Sequence, residues 1–276
     1  SMDKIINNIN GDTKIIGFLG STYKTSRMYA LYNAAFKALQ LNYVYIPFVV
    51  NDLKKALEGI CHLGIKAVGV TIPFKIEVIK YLDELDENAK RIGAVNIIMN
   101  DNGKLIGGNT DGLGGVKAIN ETISVADKKV VLIGAGGAAR ALAFAISDAG
   151  GKLTILNRTL SDASDLARKI DARSVVISHL SEEISESDII INATSVGMKP
   201  NNDSLVDINL LHKKLTVMDV ITNPKDTKLI MDAKKIGCKI VYGDRMLFWQ
   251  AVLKFKMFTG IAAPVKVMEE EIKKYA

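Results

Sequence analysis

The chain has 276 residues, a formal net charge of +6, and 48% hydrophobic, 24% charged and 6% aromatic residues. That length suits one large or two medium domains with a sizeable core, and the composition excludes disordered, collagenous and membrane-spanning classes, since no apolar run reaches the roughly 18 residues a bilayer span needs. The lysines are interspersed with carboxylates in "NDLKKALE", "DAKKIGCK" and "EEEIKKYA", the pattern of solvated helix faces and not of a nucleic-acid surface.

The opening "SMDKIINNINGDTK" has no basic region followed by an apolar one, so a cytoplasmic protein is expected, with Ser1 read as a cloning scar. "TKIIGFLG" is apolar and β-branched and predicts a strand; Ser26 can cap the helix that follows through "RMYALYNAAFKALQL". Next come a strand in "YVYIPFVV", a helix in "DLKKALEGICHL" and a strand in "KAVGVTI". "AVNIIMNDNGKLIGG" predicts a β-hairpin, because Asp101, Asn102 and Gly103 supply turn residues between two extended runs.

From about residue 127 the pattern tightens. "KKVVLIG" is an apolar run suited to a central parallel strand, "GGAARALAFAISDAGG" a helix closed by Gly150, and "KLTILNR" the next strand. "SVVIS", "DIIINAT", "LTVMDVI" and "CKIVYG" continue the series, which predicts a doubly wound parallel sheet. "DRMLFWQAVLKFKMFTG" and "VKVMEEEIKKYA" are amphipathic helices with no strand after them and are expected to return to the first domain. Cys61 and Cys238 lie far apart without CxxC spacing or a cysteine-histidine cluster, so reduced, buried thiols are expected, with no disulfide and no metal. His62, His179 and His212 fall outside every motif and are assigned no catalytic role.

"VVLIGAGGAARALAF" sets Gly134, Gly136 and Ala139 in the G-x-G-x-x-A spacing between a strand and a helix, where a pyrophosphate meets unpaired N–H groups and the helix dipole. The next strand ends in "LNRTLSD" instead of the acidic residue that bonds the ribose 2′-hydroxyl of NAD. Arg158 can face a 2′-phosphate there, with Asn157 and Thr159 as neutral donors and acceptors, so the expected cofactor is NADP. A second role for Thr159, as N-cap with Asp162 at N3, is compatible with this. "INATSVGM" follows a buried strand and brings Thr194, Ser195 and Gly197 to the carboxyl edge of the sheet, toward the nicotinamide half of the cofactor.

Two polar residues are candidates for the chemistry. Lys75 in "VTIPFK" follows a strand and Pro73, and Asp111 in "GGNTDGLGG" opens a helix in the segment that joins the two sheets. Each alone has an ordinary structural reading, as an exposed lysine and as an N-cap; together, converging on an interdomain crevice, they make an acid/base pair in which the aspartate orients the lysine.

Taken jointly, "VTIPFK", "GAVN", "NTDG", "GAGGAARA", "NRT", "INATSVGM", "NPKDT" and "GDRMLFWQAVLKFKMFTG" resemble, in order and rough spacing, the shikimate dehydrogenases and their quinate/shikimate relatives over nearly the whole chain. The resemblance implies an NADP-linked enzyme of aromatic amino acid (chorismate) biosynthesis that interconverts a cyclic hydroxy acid and its ketone, shikimate and 3-dehydroshikimate, and that is a monomer or homodimer. The implied architecture is α/β: an N-terminal α/β substrate domain, residues 1–112 plus 245–276, and a Rossmann-type doubly wound NADP-binding domain, residues 113–244. Lys75 and Asp111 match the catalytic pair. Thr71, Asn96 and Gln250 match substrate contacts, Gly134, Ala135, Gly136, Gly137 and Ala138 the pyrophosphate loop, and Asn157, Arg158 and Thr159 the 2′-phosphate clamp. Gly243 and Met246 match the rim of the nicotinamide pocket.

The chain departs from the family at the substrate's carboxylate end. Tyr23 and Thr25 in "TYKTS" stand where two serines are usual, Gly69 where asparagine precedes "VT", and Thr222 where tyrosine precedes "NP". Both Tyr23 and Thr25 keep a hydroxyl for an anion, and bulk added at Tyr23 is set against bulk lost at Thr222. Lys24 reads as solvent-facing. Two other readings follow: the same chemistry on quinate, an aminoshikimate or another cyclic acid, and a non-catalytic NADP-binding protein.

Overall fold

The structure, a computed structural model, describes residues 9–21 and 27–274. Its elements in chain order are β1 (Lys14–Gly20), α1 (Arg27–Ala38), β2 (Tyr43–Val49), α2 (Leu53–His62), β3 (Ala67–Val70), α3 (Phe74–Glu77), β4 (Glu84–Leu85), α4 (Glu87–Ile92), β5 (Ile97–Asp101) and β6 (Lys104–Gly108). There follow α5 (Asp111–Asn120), β7 (Lys129–Ile133), α6 (Gly137–Asp148), β8 (Lys152–Asn157), α7 (Leu160–Arg168), β9 (Arg173–Val176), α8 (Leu180–Ser185), β10 (Ile189–Asn192), β11 (Thr216–Asp219), α9 (Lys228–Ile236), β12 (Lys239–Tyr242), α10 (Gly243–Thr259) and α11 (Val265–Lys273).

The chain forms two compact units, 1–110 with 251–276 and 111–250. These divisions fall at Thr110/Asp111 and Gln250/Ala251, two residues before and six residues after the boundaries expected after residues 112 and 244. The second lies inside α10, a continuous helix, so no loop composition marks it.

In the first unit the sheet runs β2-β1-β3-β5-β6-β4. β2, β1 and β3 are parallel, while β3, β5 and β6 are mutually antiparallel neighbours. The β5–β6 hairpin turns on Asn102 and Gly103 at φ +52° and +93°, as its Asp-Asn-Gly sequence predicts. Leu31, Tyr32, Ala35 and Phe36 form the buried stripe of α1. Tyr32 packs edge-on to Phe258 at 5.5 Å between ring centroids, Phe36 lies 5.6 Å from Phe255, and the Tyr32 hydroxyl donates to the Ala251 carbonyl at 3.0 Å. Those contacts seat the second half of α10 in this unit.

The second unit is a six-stranded, all-parallel sheet in the order β12-β11-β10-β7-β8-β9, doubly wound about β7. Strands β10 and β11 are buried throughout, which is why they read as unbroken apolar runs. The glycines of α5 serve close packing: a Cβ on Gly112 would sit 2.0 Å from the Ala141 carbonyl oxygen of α6, and one on Gly115 2.2 Å from Leu142. The first half of α10 is tied to α5 by Glu121, which accepts from Arg245 Nε at 2.9 Å and Nη2 at 2.6 Å and from Trp249 Nε1 at 2.8 Å. Burial works to raise the Glu121 carboxyl, but these donors outweigh it and hold the group below its ordinary range.

Cys61 and Cys238 are free thiols. Cys238 is buried as expected. Cys61 is only half-buried, because its place on α2 faces the Gly103 carbonyl, to which its thiol donates at 3.4 Å. Among the described residues no helix is long and apolar enough to cross a membrane, and no group of three or more metal-ligating side chains is present.

Candidate active site

The dinucleotide turn is formed by the end of β7, Gly134–Gly136 and the start of α6. Gly134 stands at φ +120°, and a Cβ there would be strained and 3.0 Å from the Ala193 carbonyl oxygen, so glycine lets this turn abut the loop after β10. Gly136 is the N-cap of α6 and has no side chain to bond the first-turn amides. Apart from their chain neighbours and the backbone of α6 itself, no described atom lies within 4 Å of where Cβ atoms on Gly136 or Gly137 would stand. The amides of Gly137 and Ala138 therefore open, with half-buried Ala135 beside them, onto free space at the positive end of a twelve-residue helix, which suits a pyrophosphate.

β8 ends at Asn157, with Arg158 and Thr159 exposed just beyond. Asn157 Nδ2 donates to the Thr159 carbonyl at 3.1 Å and to Asp162 Oδ2 at 3.4 Å. Thr159 is the N-cap of α7, but its hydroxyl makes no capping bond. The strand end thus presents a cation and neutral polar groups where NAD-binding sites place a carboxylate, and this donor set fits a 2′-phosphate.

The loop after β10 is shaped by a buried polar network. Thr194 donates to Asn192 Oδ1 from its N–H at 3.1 Å and its hydroxyl at 2.7 Å, and that hydroxyl accepts from Val196 N–H at 3.1 Å. Asn192 Nδ2 donates to the Val196 carbonyl at 3.1 Å and to Asp219 Oδ1 at 3.2 Å. Asp219 also accepts from Ile221 N–H at 3.1 Å and from the Thr227 hydroxyl at 2.7 Å. Thr194 is therefore a loop-shaping residue in this structure, while Ser195 is exposed at the loop's surface.

Burial raises the Asp219 carboxyl above its ordinary range, and the bonds from Thr227, Ile221 and Asn192 reverse only part of that. A carboxyl raised on folding adds stability below its unfolded value and loses it as pH rises through the folded one. Asp219→Ala removes the acceptor of three donors in a dry site and should cost about 2–3 kcal/mol. Thermal unfolding should show it as a fall of roughly 5 °C or more, with Asp219→Asn much milder and less pH-dependent at acid pH. Equal stability of Asp219→Ala and wild type would contradict this role.

In the first unit, Thr71 and Lys75 follow β3 and are half-buried. The Lys75 carbonyl accepts from Val95 N–H at 2.8 Å, which joins the "IPFK" turn to the segment carrying Asn96. Asn96 is fully buried. Its Nδ2 donates to the Thr110 hydroxyl at 3.0 Å and its Oδ1 accepts from Thr110 N–H at 3.0 Å, which fixes the backbone just before Asp111. Thr71, Lys75 and Asn96 thus share one end of the first sheet.

In the second unit Asp111 opens α5 at 7% exposure, Gln250 is buried with its Nε2 donating to the Leu247 carbonyl at 2.8 Å, and Thr222 is half-buried after β11. A Cβ on Gly243 would stand 2.6 Å from the Val220 carbonyl oxygen, so glycine is needed where α10 starts against the end of β11. Met246 is buried, with its sulfur 3.5 Å from where a Gly115 Cβ would be. Tyr23, Lys24, Thr25 and Ser26 lie outside the described residues. Neither Asn192 nor Asp219 was singled out from sequence; the available signal was a polar residue closing each of two adjacent buried strands.

Comparison with known proteins agrees with this geometry. A family model described as the shikimate dehydrogenase substrate binding domain matches residues 18–98, and one described as shikimate / quinate 5-dehydrogenase matches residues 116–235. The shikimate dehydrogenase (NADP(+)) of Methanocaldococcus jannaschii is 44% identical over 276 residues, spanning 96% of this chain and 98% of that one. A crystal structure of a shikimate dehydrogenase in complex with NADP+ superposes with a TM-score of 0.89 at 41% identity, covering 97% of both chains. Quinate dehydrogenase from Corynebacterium glutamicum in complex with NAD superposes with a TM-score of 0.87 at 31% identity, covering 95% of this chain and 99% of that one.

Proposed function

The chain belongs to the shikimate dehydrogenase family, and on that premise we propose that it interconverts shikimate and 3-dehydroshikimate with NADP as its redox partner. The observation that carries the reading is near full-length similarity to an NADP-dependent shikimate dehydrogenase in a chain whose second unit has the open pyrophosphate turn and a cationic, carboxylate-free strand end at 157–159. NADP supplies a nicotinamide that exchanges a hydride with the carbinol carbon of the substrate. In oxidation Lys75 Nζ takes the proton leaving the reacting hydroxyl and releases it to solvent; in reduction it returns a proton to the ketone oxygen. Asp111 bonds the same hydroxyl and orients Lys75.

In this reading Thr71, Asn96, Thr222 and Gln250 hold the ring, Tyr23 and Thr25 receive the carboxylate, and Thr194, Ser195, Gly243 and Met246 border the nicotinamide. Gly134, Ala135, Gly136, Gly137 and Ala138 receive the pyrophosphate, and Asn157, Arg158 and Thr159 the 2′-phosphate.

A second reading, the same chemistry on quinate or another cyclic acid, is favoured by Tyr23, Thr25, Gly69 and Thr222 and by the similarity to a quinate dehydrogenase. Values of kcat/KM for shikimate, quinate and an aminoshikimate, each with NADP+ and NAD+, separate the two. Shikimate with NADP+ should give the largest value; a larger value for another acid would transfer the assignment to it. Cofactor binding without turnover of any acid would instead mark a non-catalytic protein.

A further inference from the structure

Asp111 opens α5, and Glu121 directly follows its last residue, about 15 Å further along the helix axis. Glu121 is therefore too far away to touch a substrate hydroxyl that Asp111 bonds. Both of its carboxylate oxygens are instead engaged by α10: Oε2 accepts from Arg245 Nε, and Oε1 accepts from Arg245 Nη2 and Trp249 Nε1. The indole is held a second time, because Lys117 Nζ, one turn before Glu121 on α5, lies 5.3 Å from the centre of the Trp249 ring. Paired bonds from one guanidinium fix direction as well as distance. The Glu121 and Arg245 side chains are partly shielded, at 34% and 27% exposure, so this network holds its partners more firmly than a single solvated ion pair would.

Arg245 and Trp249 are i and i+4 on α10 and share one face of the helix. Met246 and Gln250, also i and i+4, share the face beside it, about 100° round the axis. Bonds that fix the first pair therefore fix the rotation of this half of α10 and, with it, the direction of the second pair. The Met246/Gln250 face lies directly against α5. A Cβ on Gly114 would stand 2.6 Å from the Gln250 backbone nitrogen and 2.9 Å from its Cβ, and one on Gly115 would stand 3.5 Å from the Met246 sulfur. Gly114 and Gly115 come three and four residues after Asp111, so they occupy the same face of α5 as Asp111. Glycine brings the two helices into backbone contact at this point, and the Glu121 clamp, two turns further along α5, sets the rotation of α10 on that contact.

We propose that Glu121 is a positioning residue for the reaction: through Arg245 and Trp249 it sets the rotation of α10 and so holds the Gln250 carboxamide toward the substrate ring, in fixed relation to Asp111 on α5. The inference rests on the reading of Gln250 as a ring contact under Proposed function. Glu121 itself touches neither substrate nor cofactor.

The test is a double-mutant cycle on the full chain with shikimate and NADP+. Gln250→Ala should raise KM for shikimate about tenfold, the scale of one lost hydrogen bond. Glu121→Ala should raise it about three- to tenfold, with kcat and KM for NADP+ within about threefold of wild type. Because both changes remove the same contact, the double variant should lose no more than about twofold beyond Gln250→Ala, whereas a general loosening of the fold would multiply with it. Trp249→Phe, which keeps a ring and removes one N–H, should raise KM for shikimate about threefold, again only where Gln250 is present, and it serves if Glu121→Ala does not fold. Losses that multiply, or an unchanged KM for shikimate in both Glu121→Ala and Trp249→Phe, overturn the proposal while the Gln250→Ala effect upholds the parent reading. An unchanged KM in Gln250→Ala removes that residue from the ring and overturns both.

Discussion

Lys75→Ala should lower kcat for shikimate oxidation by about 10²-fold or more, the scale of a positioned acid/base group, with KM for NADP+ within about threefold of wild type. The residue sits half-buried on α3, a short helix with no buried residue, and the bond that ties this turn down comes from its backbone carbonyl, which alanine retains. Its removal should therefore act on turnover far more than on the unfolding temperature. Lys75→Arg sharpens the distinction. Arginine keeps the positive charge but does not give up its proton at working pH, so it should fail nearly as badly if Lys75 transfers a proton and largely recover activity if Lys75 only attracts charge. Asp111→Asn should show a similar kcat loss if, as proposed, Asp111 is the other member of the acid/base pair. Near-normal turnover in Lys75→Ala would remove the pair from the mechanism.

The second large effect is expected at Arg158. Arg158→Ala should raise KM for NADP+ by about 10- to 100-fold, the worth of a charge-assisted bond to a phosphate, while KM for NAD+ changes little because NAD+ lacks the 2′-phosphate. The site is exposed, so the preference for NADP+ in the wild type should weaken as salt rises and its charges are screened. Asp162, whose carboxylate accepts from Asn157 Nδ2 at 3.4 Å, is an opposing charge beside this clamp. Asp162→Asn should leave the NADP+ preference intact or raise it. A variant at Arg158 that loses NADP+ and NAD+ equally would show that the residue supports the loop and does not read the phosphate.

Much of the fold was legible because local chemistry and tertiary demand agree. The second unit's central strands are buried on both faces, so "KVVLI" and "IIIN" read as strands without alternation, and Gly134 and Gly136 mark the turn where only glycine serves. The hairpin was written in Asp-Asn-Gly. What stayed hidden depends on long-range pairing. Asn192 and Asp219 lie 27 residues apart and become neighbours only because β10 and β11 pair in the register that sets them side by side. Lys254 reads from sequence as an ordinary charge on an amphipathic helix; its burial follows from which side of α10 meets the first sheet, a fact of packing and not of period. The division inside α10 was hidden for the same reason, since a continuous helix carries no boundary composition. Asp111 and Lys75, by contrast, stand out as candidates in the sequence because each is a polar residue beside a strand end or a glycine-rich turn, where ligand-handling residues collect.

The account stands most directly on one measurement: NADPH formation by the purified chain with shikimate and NADP+, followed at varied concentrations of each. The proposal predicts saturable turnover that needs both partners, reverses with 3-dehydroshikimate and NADPH, and falls by at least about 10²-fold in Lys75→Ala. Saturable NADP+ binding with no NADPH formed from shikimate, at any concentration that saturates the cofactor, would contradict it.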